Sequence, residues 1–258
     1  MLRYERQLLL LGAKRNEVLD LWEVKRYGAD SYGDSDFVSI YGLSPSEWYA
    51  KGIRLLGRTA VECTRDAVAD AIGGDVADLA REAGTMRPEL VLDPFVGSGN
   101  TLFWILRHLE HARGLGCELD RRVFELTTRN LSLLDTPIEI VNQDFSRVVR
   151  ELKLPADQLL IVFVAPPWGE ALSEVNGLDL GHTSPPVRDV VDLLSDLFLN
   201  PLLYAIQVYE KVDQTSLEEL VPRFDWWERR TYDVNPAGQN AGLLFGTKRW
   251  TPSSGSTD

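Results

Sequence analysis

Three acidic residues each close a short apolar run. They are Asp93 after Leu90-Val91-Leu92, Glu118 after Leu115-Gly116-Cys117, and Asp144 after Ile140-Val141-Asn142-Gln143. Glu118 follows Asp93 by 25 positions. Carboxylates in such places can accept from the hydroxyl and amine groups of a ligand. Asp93 leads directly into Pro94-Phe95-Val96-Gly97-Ser98-Gly99-Asn100-Thr101, and an apolar run restarts at Leu102-Phe103-Trp104-Ile105-Leu106. Gly97 and Gly99 allow positive φ and close approach of backbone to a ligand. The helix that follows offers free N–H groups, and Ser98, Asn100 and Thr101 can cap or donate. The spacing is not G-x-G-x-x-G before a plain helix, and no Gly-Lys-Ser/Thr follows, so neither a dinucleotide site nor a P-loop is indicated.

A fourth apolar run, 159–164, ends in Ala165-Pro166-Pro167-Trp168-Gly169-Glu170. The two prolines fix the backbone and remove two N–H donors, which leaves carbonyls free to accept from an amine. Trp168 offers a flat apolar face that can also hold a cation. Glu170 can act as a general base, orient a cationic acceptor or stand as a solvated loop acid. His182, in Gly181-His182-Thr183-Ser184-Pro185-Pro186, can line the same pocket. His108 and His111 lack carboxylate-rich surroundings and read as a helix surface, so no metal site is expected.

Positioning these groups needs alternating strands and helices. The pattern predicts strands at 90–93, 114–119, 138–142 and 159–164, with helices at 99–111, 121–133 and 146–152 between and after them. Short apolar strands alternating with helices argue for a parallel sheet covered on both faces. A helix at 187–199, a fifth strand at 202–209, a helix at 216–221 and an antiparallel pair at 226–234 and 241–250 complete it. Upstream, residues 64–72 read as a helix capped by Thr64, and 75–83 as a second helix ended by Gly84. Residues 1–58 show no βα alternation and read as a helical N-terminal cap over the ligand mouth. Within it lie helices at 3–11 and 16–27, a loop at 28–36 and a capping box at Ser44-Pro45-Ser46-Glu47. Residues 59–250 then form the main domain, and 251–258 a disordered tail.

The four strand-end motifs in this order resemble the class I S-adenosylmethionine (SAM) methyltransferases, over about residues 60 to 250. Pro166-Pro167-Trp168-Gly169 is similar to the trimethylguanosine synthase branch, the RNA cap guanine-N2 methyltransferases. The resemblance implies an α/β fold, namely a Rossmann-like methyltransferase sheet, mostly parallel, with a C-terminal antiparallel strand pair. It implies a methyl-transferring enzyme with SAM as cofactor. Glu118 is then assigned to the ribose diol, Asp93 to the amino acid end or to ordering the glycine turn, and Asp144 to the adenine amine with Phe145 covering the ring. Phe95, Gly97, Ser98, Gly99, Asn100, Thr101 and Ala165 would line the cofactor, and Thr64 would meet its carboxylate. In the branch resembled, the tryptophan stacks on the methylated guanine. Trp168, Glu170, His182 and Tyr49 are the expected acceptor contacts, with Pro166, Trp168 and Glu170 as catalytic groups.

Amine-directed relatives usually carry Asp, Asn or Ser before Pro-Pro, whereas this chain has Ala165. One side-chain acceptor for an amino group is thereby lost. The formal charge of −12 opposes polyanions. Basic residues do gather at Lys14, Arg15, Lys25, Arg26, Arg54 and Arg58. Transfer to a small-molecule acceptor by in-line displacement is therefore expected. Both an amine and an alkene carbon, for instance of a prenyl diphosphate, stay open, and Mg²⁺ enters only with a diphosphate. An RNA guanine-N2 methyltransferase is the first alternative, and a catalytically inactive SAM-binding partner protein the second.

The composition, 44% hydrophobic and 26% charged, is ordinary for a globular chain. No apolar run is long enough for a bilayer and residues 1–11 do not read as a signal peptide, so a cytoplasmic protein without membrane contact is expected. Cys63 and Cys117 cannot build a disulfide scaffold. Oligomeric state is left open.

Overall fold

The computed structural model describes residues 4–84, 86–173, 175–232 and 241–253. The elements run α1 (Arg6–Leu10), α2 (Leu21–Tyr32), α3 (Pro45–Ala50), α4 (Gly57–Glu62), α5 (Asp66–Glu82), β1 (Pro88–Asp93), α6 (Asn100–His108), β2 (Arg113–Cys117), α7 (Arg121–Ser132), β3 (Ile138–Val141), α8 (Phe145–Glu151) and β4 (Leu159–Val164). After them come β5 (Leu172–Ser173), β6 (Gly177–Leu178), α9 (Val187–Leu197), β7 (Leu202–Tyr209), α10 (Gln214–Leu220), β8 (Trp226–Tyr232) and β9 (Ala241–Lys248).

Seven strands form one sheet in the order β3-β2-β1-β4-β7-β9-β8, and β5–β6 is a separate small hairpin. The pairs from β3 through β7 are parallel, and β9 runs antiparallel between β7 and β8. This is the Rossmann-like methyltransferase sheet that the strand-end motifs imply. Every residue of β4 is buried, because helices cover both of its faces. One apolar cluster packs α8, α9 and α10 against one face, and a second packs α5 and α6 against the other. A third joins Tyr27, Ile40, Trp48 and Ile53 of the N-terminal segment to Phe103 of α6 and Leu131 of α7.

Several local expectations give way. The helix foreseen at 16–27 begins later and runs on to Tyr32. Asp20 caps it, accepting from the Glu23 amide at 2.8 Å, while the Glu23 carboxylate accepts from the Asp20 amide at 2.9 Å. That capping box fixes the start. Gly28 stays inside the helix because a Cβ there would lie 2.3 Å from the Asp34 carbonyl. The glycine marks a close approach, not a break. Likewise the helices foreseen at 64–72 and 75–83 are one helix, α5, and Thr64 does not cap it. Gly73 lies against α6, where a Cβ would stand 2.7 Å from His108 and 2.8 Å from the Trp104 carbonyl. The helix at 99–111 is shorter than foreseen and ends at His108. The capping box at Ser44 forms, with Glu47 accepting from the Ser44 amide at 2.8 Å. Part of the foreseen strand 226–234 and most of the tail, residues 233–234 and 254–258, lie outside the described residues. Among the described residues, no helix is long and apolar enough to cross a membrane.

Candidate functional site

Strand order reverses beside β1, with β2 and β3 on one side and β4 and β7 on the other. The carboxyl ends of strands at such a reversal border the crevice where α/β sheets bind ligands. Asp93 is the last residue of β1, Glu118 follows β2 directly, and Asp144 lies three residues past β3. Ala165 to Trp168 leave the end of β4.

The three acids share one region. The Cys117 thiol is pushed up to about 12, first by burial and then by the carboxylates of Asp93, Asp144 and Glu118. Asp93 is only 2% exposed. Burial lifts its carboxyl to about 7 and nearby Glu118 adds to the rise, against the Phe95 amide, which donates to it at 3.0 Å. Among the described residues Asp93 forms no ion pair. Glu118 is also raised, chiefly by burial. It accepts from the Asp120 amide at 2.8 Å. Asn142 steadies this corner by donating to the carbonyls of Glu118 and Leu119 at 2.7 and 3.1 Å. Asp144 caps α8 through the Ser146 amide at 2.8 Å. Phe145 lies edge-on to Phe95 with ring centroids 5.3 Å apart.

The glycine turn has the expected form, with φ of 49° at Gly97 and 73° at Gly99. Ser98, Asn100 and Thr101 are buried. The turn is gripped from both sides. Thr127 of α7 donates to the Gly97 carbonyl at 2.6 Å, and the Tyr41 hydroxyl donates to the Ser98 carbonyl. Asn100 is occupied by the protein: its Oδ1 accepts from the Tyr41 amide at 2.7 Å, and its Nδ2 donates to the Thr64 carbonyl at 2.7 Å and to Asp66 at 3.1 Å. Its side chain is thus part of the scaffold. Thr64 donates its hydroxyl to Gln207 of β7 at 3.1 Å.

On the other side of the crevice Ala165 is half-buried, Pro166 buried and Trp168 half-buried. Trp168 meets Tyr209 edge-on, centroids 6.3 Å apart. The Pro167 and Trp168 carbonyls are taken by the amides of Ser184 and Ala171. Glu170 is exposed in a single 3₁₀ turn. It lines a cavity of about 310 Å³ together with Ala171, Asp179, His182 and Asp213. His182 is held by Asp179, Nδ1 to Oδ2 at 2.7 Å. The structure therefore brings Glu170 and His182 together.

Tyr49 is elsewhere. Its ring lies 3.6 Å below the Arg54 guanidinium, and Arg54 is tied through its amide to Asn130 of α7. Trp48 is fully buried, with its indole N–H on the Val38 carbonyl. Thr127, Asn142 and Asp213 were not expected here, and no local spacing marks them. Among the described residues no group of three or more His, Cys, Asp or Glu is placed to hold a metal ion.

No protein-family model and no curated protein matches this chain. Among solved structures it is similar to the METTL16 MTase domain, at 15% identity over 72% of this chain and 71% of that one, TM-score 0.49. It is also similar to the precorrin-6y C5,15-methyltransferase of Geobacter metallireducens, at 9% identity over 72% and 89%, TM-score 0.47. A third is the SAM-dependent O-methyltransferase of Thermotoga maritima, at 14% identity over 74% and 68%, TM-score 0.46. Likeness at this level assigns neither an activity nor a substrate to this chain.

Proposed function

We propose that this chain is a SAM-dependent methyltransferase acting on a small-molecule acceptor. The observation that carries the reading is the meeting of three strand-end carboxylates around Cys117, beside a glycine turn, at the point where the strand order reverses. A buried acid without a cationic partner fits a ligand that brings its own ammonium group, and Asp93 is such an acid. Glu118, at the end of the neighbouring strand, suits a ribose diol, and Phe145 beside Asp144 suits an adenine ring and its amine.

When bound, SAM supplies an electrophilic methyl group next to its sulfonium. The chain's own residues align the acceptor and move its proton. Alignment is worth up to about 7–11 kcal/mol in favourable cases. Trp168 gives the acceptor a floor, and the Ala165 and Pro166 carbonyls are the acceptors nearest the end of β4. Glu170, which lines the cavity of about 310 Å³, takes the proton released by an amine or by a methylated alkene carbon.

Four basic residues of the N-terminal segment are already paired with carboxylates, which favours a small acceptor over RNA. Lys14, Lys25, Arg26 and Arg58 pair with Glu23, Asp36, Asp30 and Asp120. Arg54 lies over Tyr49. An RNA of the trimethylguanosine type would need those charges free on the surface.

Calorimetry with S-adenosylhomocysteine tests the cofactor site: the chain should bind it, and Glu118→Ala should abolish binding while circular dichroism is unchanged. Labelled-methyl transfer into metabolite and RNA extracts in parallel tests the acceptor. Label in RNA alone would overturn the small-molecule reading, and label in neither would favour a SAM-binding partner protein.

A further inference from the structure

The segment ahead of α5 enters the wall of the cofactor crevice through one tyrosine. Ile40 and Leu43 exchange both of their backbone hydrogen bonds, at 3.1 and 3.0 Å. Between them Tyr41 and Gly42 have φ of 58° and 75°. Two central residues with positive φ are the mark of a type I′ turn. Glycine adopts that region freely, but a bulky residue there is uncommon and persists only where its surroundings hold it.

The surroundings do hold Tyr41. It is 4% exposed, with its ring edge on Phe103 at 5.5 Å between centroids. Its amide donates to Asn100, and the Gly42 amide donates to Asp66 at 2.9 Å. Asp66 in turn accepts from Trp104 at 2.6 Å and from Asn100. The turn is thus pinned to the first residues of α6. From that anchor the phenol reaches the Ser98 carbonyl, at the centre of the Gly97-Ser98-Gly99 turn. Burial raises the phenol further above its ordinary range, so it remains a donor at any working pH. Thr127 holds the adjacent Gly97 carbonyl from the opposite side. The Gly97 and Ser98 carbonyls are thus each claimed by a side chain from elsewhere in the fold.

We propose that Tyr41 is a positioning residue for the cofactor: its hydroxyl sets the orientation of the glycine turn, and the N-terminal segment is therefore part of the cofactor site. This rests on the reading that the turn borders bound SAM. A residue that only packs would affect stability and ligand affinity together. A residue that orients the turn affects affinity out of proportion to stability.

The test is calorimetric titration of the full chain with S-adenosylhomocysteine, alongside its melting temperature. If the unmodified chain does not bind, the methyltransferase reading fails first, and the role of Tyr41 fails with it. If it binds, Tyr41→Phe should weaken binding about tenfold, with the melting temperature lowered only by the one buried hydrogen bond lost. Phe103→Leu keeps the phenol and removes ring packing, so it should lower the melting temperature and leave affinity within about twofold. Unchanged affinity in Tyr41→Phe, or losses of affinity that track melting temperature in both variants, would overturn the proposal. Should Tyr41→Phe fail to fold, Gly42→Val decides. A Cβ there meets only Trp104, at 3.7 Å, but the φ of 75° strains any branched side chain and mis-aims the tyrosine. Weakened binding in that variant supports the role, and unchanged binding ends it.

Discussion

Asp93→Asn should make the ligand-free protein more stable at pH 8 while removing its affinity for S-adenosylhomocysteine. The wild-type carboxyl is 2% exposed and titrates at about 7, against an unfolded value of about 3.9. The folded state therefore binds the Asp93 proton more tightly than the unfolded state does. Stability from this group is complete below about pH 4 and is lost as pH rises through about 7. Three pH units of difference correspond to about 4 kcal/mol, an upper figure because neighbouring groups relax. Asparagine carries no charge at any pH and keeps an oxygen for the Phe95 amide. A gain of about 2–4 kcal/mol at pH 8 is expected, or roughly 5–10 °C in melting temperature for a chain of this size. At pH 5 the folded residue is protonated but the unfolded one is still largely ionised, so the gap should shrink to about a third and close only below about pH 4. Differential scanning calorimetry of both proteins from pH 5 to 8.5 reads this directly. A variant no more stable than wild type at pH 8, or a gap that does not vary with pH, would refute the claim that the site holds a buried charge awaiting a cationic ligand.

Three further outcomes are expected. Gly73→Ala should destabilise: the new Cβ would stand 2.7 Å from His108 and 2.8 Å from the Trp104 carbonyl, and overpacking costs about 1–3 kcal/mol against a helix-propensity gain of about 1. Urea unfolding with an unchanged slope and a lower midpoint would show it. Glu170→Gln should lower kcat at least about hundredfold with S-adenosylhomocysteine affinity intact, and unchanged kcat removes Glu170 as the base. Trp168→Ala should raise KM for the acceptor without altering cofactor affinity by calorimetry, and equal losses on both would mean that the tryptophan only packs on Tyr209.

The parallel core was legible because its signals are local. An apolar run, an acid and a turn recur at β1, β2 and β3, with each acid at or just past the end of its own strand, and β4 ends in Ala165-Pro166-Pro167-Trp168. Alternation places them on one edge whatever the details of packing. Boundaries near glycines were not legible. Gly28 and Gly73 signal a break to a one-dimensional reading, yet each sits inside a helix because another segment presses against it. Glu170 and His182 line one cavity, whereas Tyr49 lies against Arg54, a pairing that no spacing in the sequence announces.

By itself the sequence determined which residues end the strands, and hence that Asp93, Glu118 and Asp144 border one crevice with the glycine turn, since strand periodicity and turn chemistry act over a few residues. Tertiary structure alone decided which of those groups are free for a ligand. Asn100 is consumed by Tyr41, Thr64 and Asp66, and the carbonyls of the glycine turn are claimed by Thr127 and Tyr41, from residues 30 and 57 positions away. The side chains that claim them approach only once the chain has closed on itself, so their pairing leaves no spacing to read.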